Sequence, residues 1–306
     1  MIDYVYTKIH NLTTDELFNN ERLSFDGVVS LKTGELAPNT YRKRRNSIKR
    51  NDAVAEYKSL VFSIVNNKHL HFDGSLHQYA HNGKNNNDFV ISELKQVYSE
   101  LKLLFGIEPE NTTIHNLEFA VNIELPFSVA FFLDSIVSFK GKAGNRQDFN
   151  GKGDILQFKF TQFELKLYDK GRQQGGGKNL LRFEIKIRKM DFLHSKKIPV
   201  YTLTDLLNSA ILVRLGNILL AFARHLLISD PQIKNENFST FEIDLIKDGN
   251  NPRYWSNLKK TNNENYKKRM YRFNKLMSDF GCNKIKLSLL ELLKVKWNFL
   301  TQNDYE

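Results

Sequence analysis

Phe163-Glu-Leu-Lys-Leu-Tyr-Asp-Lys-Gly171, followed by Leu180-Leu-Arg-Phe-Glu-Ile-Lys-Ile-Arg188, alternates apolar and polar residues through both halves. Strict alternation predicts two half-buried strands, because successive strand side chains point to opposite faces. Phe163, Leu165 and Leu167 share one face of the first; Glu164, Lys166, Tyr168 and Lys170 share the other. In the second, Leu181, Phe183, Ile185 and Ile187 oppose Arg182, Glu184, Lys186 and Arg188. Gly171 and Gly175-Gly176-Gly177 suit a flexible connection between them. A sheet with one apolar and one polar face follows, and the polar face carries a tyrosine among lysines and a carboxylate.

Working outward, Asn116-Leu-Glu-Phe-Ala-Val-Asn-Ile-Glu-Leu125 predicts another strand, with Glu118 and Asn122 on its polar face. Ile155–Phe160 alternates and is expected to pair with the strand of Tyr168. Glu56–Asn66 is expected to form one strand. Lys68-His-Leu-His-Phe-Asp-Gly74 is expected to form another, with His69, His71 and Asp73 on one face. Apolar spacing predicts helices over 89–105, stopped by Gly106, over 127–139, and from Thr202 to about Leu227 with Thr202 or Thr204 as cap. Residues 1–40 show no dominant pattern. The expected class is α+β: a mostly antiparallel sheet with helices on its apolar face, its polar face open, and a helical C-terminal region. A boundary near 200 divides a sheet domain, 1–200, from a basic helical region, 201–306.

The chain has 306 residues, 41% hydrophobic and 12% aromatic, which excludes a disordered chain. The single cysteine, Cys282, excludes an internal disulfide framework and a cysteine-based zinc knuckle; a reducing, cytoplasmic compartment fits. The first residues show no signal-peptide pattern, and no apolar run reaches membrane-spanning length. A formal net charge of +11 favours a polyanionic partner, nucleic acid before an anionic membrane. Basic residues concentrate in Tyr41-Arg-Lys-Arg-Arg-Asn-Ser-Ile-Lys-Arg50, where Arg42, Lys43, Arg44 and Arg45 are candidate phosphate contacts. They concentrate again in 253–296, with twelve Lys/Arg against three Asp/Glu and interleaved aromatics. There Lys267, Lys268, Arg269 and Arg272 are the candidates; a helical cap that only solvates its charge is the alternative.

Four strands thus carry polar faces that would converge in one sheet. Wet faces of antiparallel sheets are commonly just polar. Yet His69 and His71 have the spacing to share a divalent ion, and Glu118 and Glu184 are hard oxygen donors suited to Mg²⁺ or Mn²⁺. Lys166, Lys170 and Arg182 would stabilise negative charge around Tyr168. A tyrosine phenolate attacking a phosphodiester makes a covalent protein–DNA link and frees a 3′-hydroxyl.

Leu165-Lys-Leu-Tyr-Asp-Lys-Gly171 with Leu181-Arg-Phe-Glu-Ile-Lys-Ile187 resembles the paired motif of plasmid rolling-circle replication initiators of the Rep_trans type. Leu117-Glu-Phe-Ala-Val-Asn122 is similar to that family's upstream strand. Gly74-Ser-Leu-His-Gln-Tyr-Ala-His-Asn-Gly-Lys-Asn85 resembles a segment of the filamentous-phage gene II/X replication proteins. The resemblance covers about 55–195. It implies a nicking and joining nuclease core, Tyr168 as nucleophile, Glu118 in a metal site and Glu184 as supporting carboxylate. Asn122 departs from the family, standing where its second aspartate belongs. His71 falls about where plasmid members carry a glutamate. The expected activity is metal-dependent, site-specific nicking and strand transfer at a replication origin. DNA is the expected partner, with a host helicase and a second copy of the chain as further candidates and no membrane. A non-catalytic origin-binding protein keeping this fold, favoured by Asn122, and a mobilisation relaxase are the alternatives.

Overall fold

The computed structural model describes residues 1–25, 53–148, 151–229, 238–280 and 283–302, together with the backbone of a short strand pair at 28–29 and 36–37. In chain order the strands are β1 (Ile2–Ile9), β2 (Val28–Val29), β3 (Leu36–Ala37), β4 (Ala53–Tyr57), β5 (Leu60–Val65), β6 (His69–Ser75), β7 (Thr112–Glu124), β8 (Ile136–Phe139), β9 (Asn145–Asp148), β10 (Asp154–Lys159), β11 (Phe163–Asp169), β12 (Leu180–Ile187) and β13 (Leu226–Ile228). The α-helices are α1 (Thr14–Phe18), α2 (Leu76–Ala80), α3 (Ile91–Phe105), α4 (Val129–Ser135), α5 (Lys170–Gln173), α6 (Asp191–His194), α7 (Ser209–Arg224), α8 (Thr240–Gly249), α9 (Pro252–Thr261), α10 (Asn263–Asp279) and α11 (Lys284–Thr301).

Nine strands form one sheet in the order β4-β5-β6-β1-β7-β12-β11-β10-β9. Every neighbouring pair in it is antiparallel. The fold is therefore α+β with a large antiparallel sheet and a helical C-terminal region. The quoted strands pair directly: Lys166 lies opposite Glu184 and Tyr168 opposite Arg182, while Ile155 of β10 lies opposite Tyr168.

Helices cover the apolar face. Phe105 of α3 packs on Phe62 at 4.8 Å between ring centroids, Trp297 of α11 on Phe119 at 5.9 Å, and Phe222 of α7 on Phe163 at 4.9 Å. These rings belong to one continuous core. Burial of this size is the main favourable term in the fold, at roughly 1.5–3 kcal/mol per large apolar side chain.

Several expectations are corrected. The irregular start is instead β1, a central strand between β6 and β7, with Val5 and Ile9 buried in the core. The strand expected over 56–66 is a hairpin, β4–β5, turning at Lys58-Ser59, with Lys58 at φ 53°. The helix expected over 127–139 ends at Ser135, and the chain continues as β8. The long helix expected from Thr202 begins at Ser209: residues 204–207 form a 3-10 turn, and Asn208 Oδ1 caps α7 by accepting from Ala210 N at 2.9 Å. Gly106 ends α3 as expected, with φ 69°.

α7 and α11 complete the core of the sheet, whereas α8, α9 and α10 pack with Val137 of β8 and Leu227 of β13 in a second, smaller cluster around Trp255, Phe273, Leu276 and Met277.

Candidate functional site

The polar face of β7, β12 and β11 holds a connected set of charged side chains. Tyr168 Oη donates to Glu184 Oε2 at 3.1 Å. Arg182 Nε donates to the same oxygen at 3.1 Å, and Lys166 Nζ donates to Glu184 Oε1 at 2.7 Å. Arg182 also pairs with Asp3 of β1, which accepts from Ser75 Oγ at 2.5 Å. Lys166 lies 3.8 Å from Glu118, and Lys186 forms an ion pair with Glu118. Asn122 Oδ1 accepts from Arg182 Nη1 at 2.9 Å.

Register explains why these residues meet. Glu118, Lys186 and Glu164 are opposite one another across three strands, the next row is Ala120, Glu184 and Lys166, and the next is Asn122, Arg182 and Tyr168. A bulge between Ile2 and Tyr4 accompanies the approach of both Asp3 and Tyr4 to this face. Tyr4 Oη donates to Asp73 Oδ1 at 3.2 Å, and Lys186 Nζ sits 4.9 Å from the Tyr4 ring centre.

The face expected to be open is roofed at one end. Asn122 Nδ2 donates to the carbonyls of Asn85 and Asn87, at 3.1 and 3.3 Å. Lys170, in the helical turn α5 that stands where a flexible connection was expected, donates to Asn85 Oδ1 at 2.6 Å and to Gln173 Oε1 at 2.8 Å. Tyr168 is 8% exposed, and Arg182 and Glu184 are buried. Buried charges are tolerable only when paired and hydrogen-bonded, and here Asp3, Glu118 and Glu184 each meet at least one cation.

The electrostatics follow from this packing. Burial pushes the Tyr168 phenol well above its ordinary value of 10, and the Glu184 carboxylate adds to the effect. Burial alone would raise Glu184, but Lys166 and Arg182 outweigh it and hold that carboxyl well below the usual range. Glu118 is pushed up to about 7, first by burial and then by Glu184. Burial and the nearby Arg182 lower the Lys170 ammonium to about 8. At neutral pH Tyr168 is therefore a protonated phenol, donating to an ionised Glu184.

The four expected metal ligands are not gathered. Along β1, His71 lies opposite Lys8, whereas Glu118 lies opposite Tyr4. Four residues of strand separate those rows, about 13 Å. His71 Nδ1 instead contacts Thr7 O at 2.8 Å, and its ring stacks on Tyr6 with centroids 5.4 Å apart. His69 begins β6, opposite Val65. Among the described residues, no group of three or more His, Cys, Asp or Glu is arranged to hold a metal ion. Glu118 and Glu184 do lie together, but Lys166 and Lys186 already neutralise them. The residues present do not fit Mg²⁺ or Mn²⁺ in this arrangement.

The expected DNA contacts divide. Arg42, Lys43, Arg44 and Arg45 lie outside the described residues. On α10, Arg269 Nη1 donates to Tyr254 Oη at 2.5 Å, Lys268 pairs with Glu264 at 2.7 Å, and Arg272 sits 5.4 Å from the Phe241 ring centre. Lys267 is exposed. Sequence reasoning missed Asp3, Tyr4, Asn85 and Lys186 as members of the site. The alternation Tyr4-Val5-Tyr6-Thr7-Lys8-Ile9 was the available signal for β1. No signal in the sequence pairs Asp3 with Arg182.

No protein-family model matches the chain, and no curated protein sequence does. Among solved structures the chain is similar to that of the rolling circle replication initiator protein from Geobacillus stearothermophilus, at 14% identity and a TM-score of 0.40. That similarity covers 82% of this chain and 96% of that one. Among the described residues, no helix is long and apolar enough to cross a membrane.

Proposed function

We propose that this chain is a replication initiator of the rolling-circle kind, which binds origin DNA and joins to it through Tyr168. The observation that carries this reading is the contact of Tyr168 with Glu184, inside a cluster of Lys166, Lys170 and Arg182, on the two strands whose sequence resembles initiator motifs. In the reaction, a bond forms between Tyr168 Oη and phosphorus while the bond to the 3′-oxygen breaks. The phenolic proton leaves to solvent, because Glu184, held well below the usual carboxylate range, is too weak a base to keep it, and the departing 3′-oxygen takes a proton from solvent. Lys170 is the cation best suited to meet the phosphate, since its partners are the neutral amides Asn85 and Gln173. Arg182 and Lys166 are engaged by carboxylates, so they hold Glu184 in place for Tyr168.

A second reading has its own support. Tyr168 is buried and its phenol is raised, and the neighbouring carboxylates are neutralised internally. These features suit a DNA-binding protein that keeps the fold without nicking.

The deciding experiment incubates supercoiled plasmid bearing the cognate origin with wild type and with Tyr168→Phe, each with and without Mn²⁺, on a denaturing gel. A covalent adduct with wild type alone supports the initiator. DNA binding by both proteins with no adduct favours the non-catalytic reading, and equal nicking by both removes Tyr168 as nucleophile.

A further inference from the structure

On the opposite side of the sheet from Tyr168, a cleft of about 570 Å³ opens between α7, the turn after β8 and the turn after α6. Phe222 and Ile218 form part of its floor, and the Phe222 ring rests on Phe163 of the apolar sheet face. Its cationic lining is Lys140, Lys196, Lys197 and Arg214, with His225 beside them, and among the described residues no Asp or Glu lines it. This is the reverse of the Tyr168 site, where carboxylates and cations cancel. Among the described residues, no carboxylate forms an ion pair with any of these four cations.

The cleft is built rather than a chance gathering of surface lysines. Arg214 Nη1 donates to Lys197 O at 2.5 Å, fixing a turn in which Lys197 has φ 59°. Lys259 Nζ donates to Lys140 O at 2.5 Å, so α9 fixes the opposite wall. The Lys140 ammonium is held over the Phe163 and Phe222 rings, at 5.2 and 5.1 Å. Burial, together with Lys196 and Lys259, lowers the Lys140 pKa. Lys196, Lys197 and Arg214 are exposed residues.

We infer that this cleft binds backbone phosphates of duplex DNA, as a positioning surface separate from the face of Tyr168. The inference rests on the replication reading for its choice of DNA. A groove with several cations and no acid suits consecutive phosphates, which bind through charge and counterion release.

The test compares two double variants that remove equal charge: Lys196→Ala with Arg214→Ala in the cleft, and Lys95→Ala with Lys102→Ala on α3. Binding of a short mixed-sequence duplex is followed by fluorescence anisotropy across a salt series, with far-ultraviolet circular dichroism to verify the fold. The cleft variant should weaken binding by roughly tenfold or more and flatten the log K against log salt slope by about 2, as expected for two lost phosphate contacts. The α3 variant should do neither. If removing Arg214 unfolds the chain, Lys196→Ala alone against Lys95→Ala makes the same comparison, with a slope change of about 1. Equal effects in cleft and control variants overturn the inference and leave the replication reading standing. Calorimetric titration with pyrophosphate separates the sources: a cleft variant that loses pyrophosphate but keeps duplex binding marks a site for free phosphate compounds, and the DNA assignment falls. A wild type that binds no duplex removes both readings.

Discussion

Tyr168 Oη donates to Glu184 Oε2 at 3.1 Å across adjacent strands, and Arg182 Nε donates to that same oxygen. The phenol therefore rests as the neutral member of a charged cluster. Removing it deletes one donor from a carboxylate that keeps two cationic partners. Tyr168→Phe should change stability by only about 1 kcal/mol, the usual net worth of one hydrogen bond. Urea unfolding measures this, and the same variant should form no covalent DNA adduct.

Arg182 is different, because it neutralises Asp3 and Glu184 together. Arg182→Met would leave two buried carboxylates without that partner. A loss of about 3–5 kcal/mol is expected from breaking a buried ion pair on one side only. Adding Asp3→Asn to Arg182→Met should recover part of it. A double variant no more stable than the single would show that the Asp3 contact contributes nothing.

Glu118 sets a pH dependence. Its carboxyl is raised from 4.5 to about 7 in the folded chain, so the folded state holds a proton that the unfolded chain has released. That contribution is complete below about pH 4.5 and is lost as pH rises through 7. Glu184 moves the other way and loses its contribution only at pH well below its ordinary value. The stability difference between wild type and Glu118→Gln should therefore shift against wild type between pH 4.5 and 7. Urea midpoints at stepped pH values check the sign.

Lys166 and Lys186 occupy carboxylate oxygens that a metal ion would need. Millimolar Mn²⁺ should leave the melting temperature of wild type unchanged, since a ligand stabilises a fold only if it binds the folded state. Lys166→Met with Lys186→Met frees Glu118 and the Oε1 oxygen of Glu184, while Arg182 keeps Oε2, and that variant should gain a Mn²⁺-dependent rise in melting temperature. A rise of similar size in wild type would mean that the lysines give way to the ion.

Gly216 of α7 lies against Trp297 of α11; a Cβ there would collide with the indole ring. The indole is anchored, because Nε1 donates to Leu212 O at 2.9 Å. Gly216→Ala should cost about 1–3 kcal/mol through overpacking. Tryptophan fluorescence alongside thermal melting reads the displacement of Trp297.

Alternation alone determined much of this protein. It placed Glu118, Lys166, Tyr168, Arg182 and Glu184 on polar strand faces, because the side-chain period of a strand is two whatever surrounds it. It also marked β10 as the partner of β11. Charge and aromatic content pointed to a polyanion partner. What it left open was decided by pairing between distant segments. β1 enters the centre of the sheet and brings Asp3 to Arg182, a contact across 179 residues. His71 and Glu118 share a face but not a row, since register depends on bulges and turns that periodicity does not encode. α7 and α11 joined the sheet core despite their position in the basic C-terminal region, because the apolar face needs covering and nearby sequence is not required to do it. The internal neutralisation of Glu118 and Glu184, and the gathering of cations in the cleft beside α7, arise only when those distant elements pack.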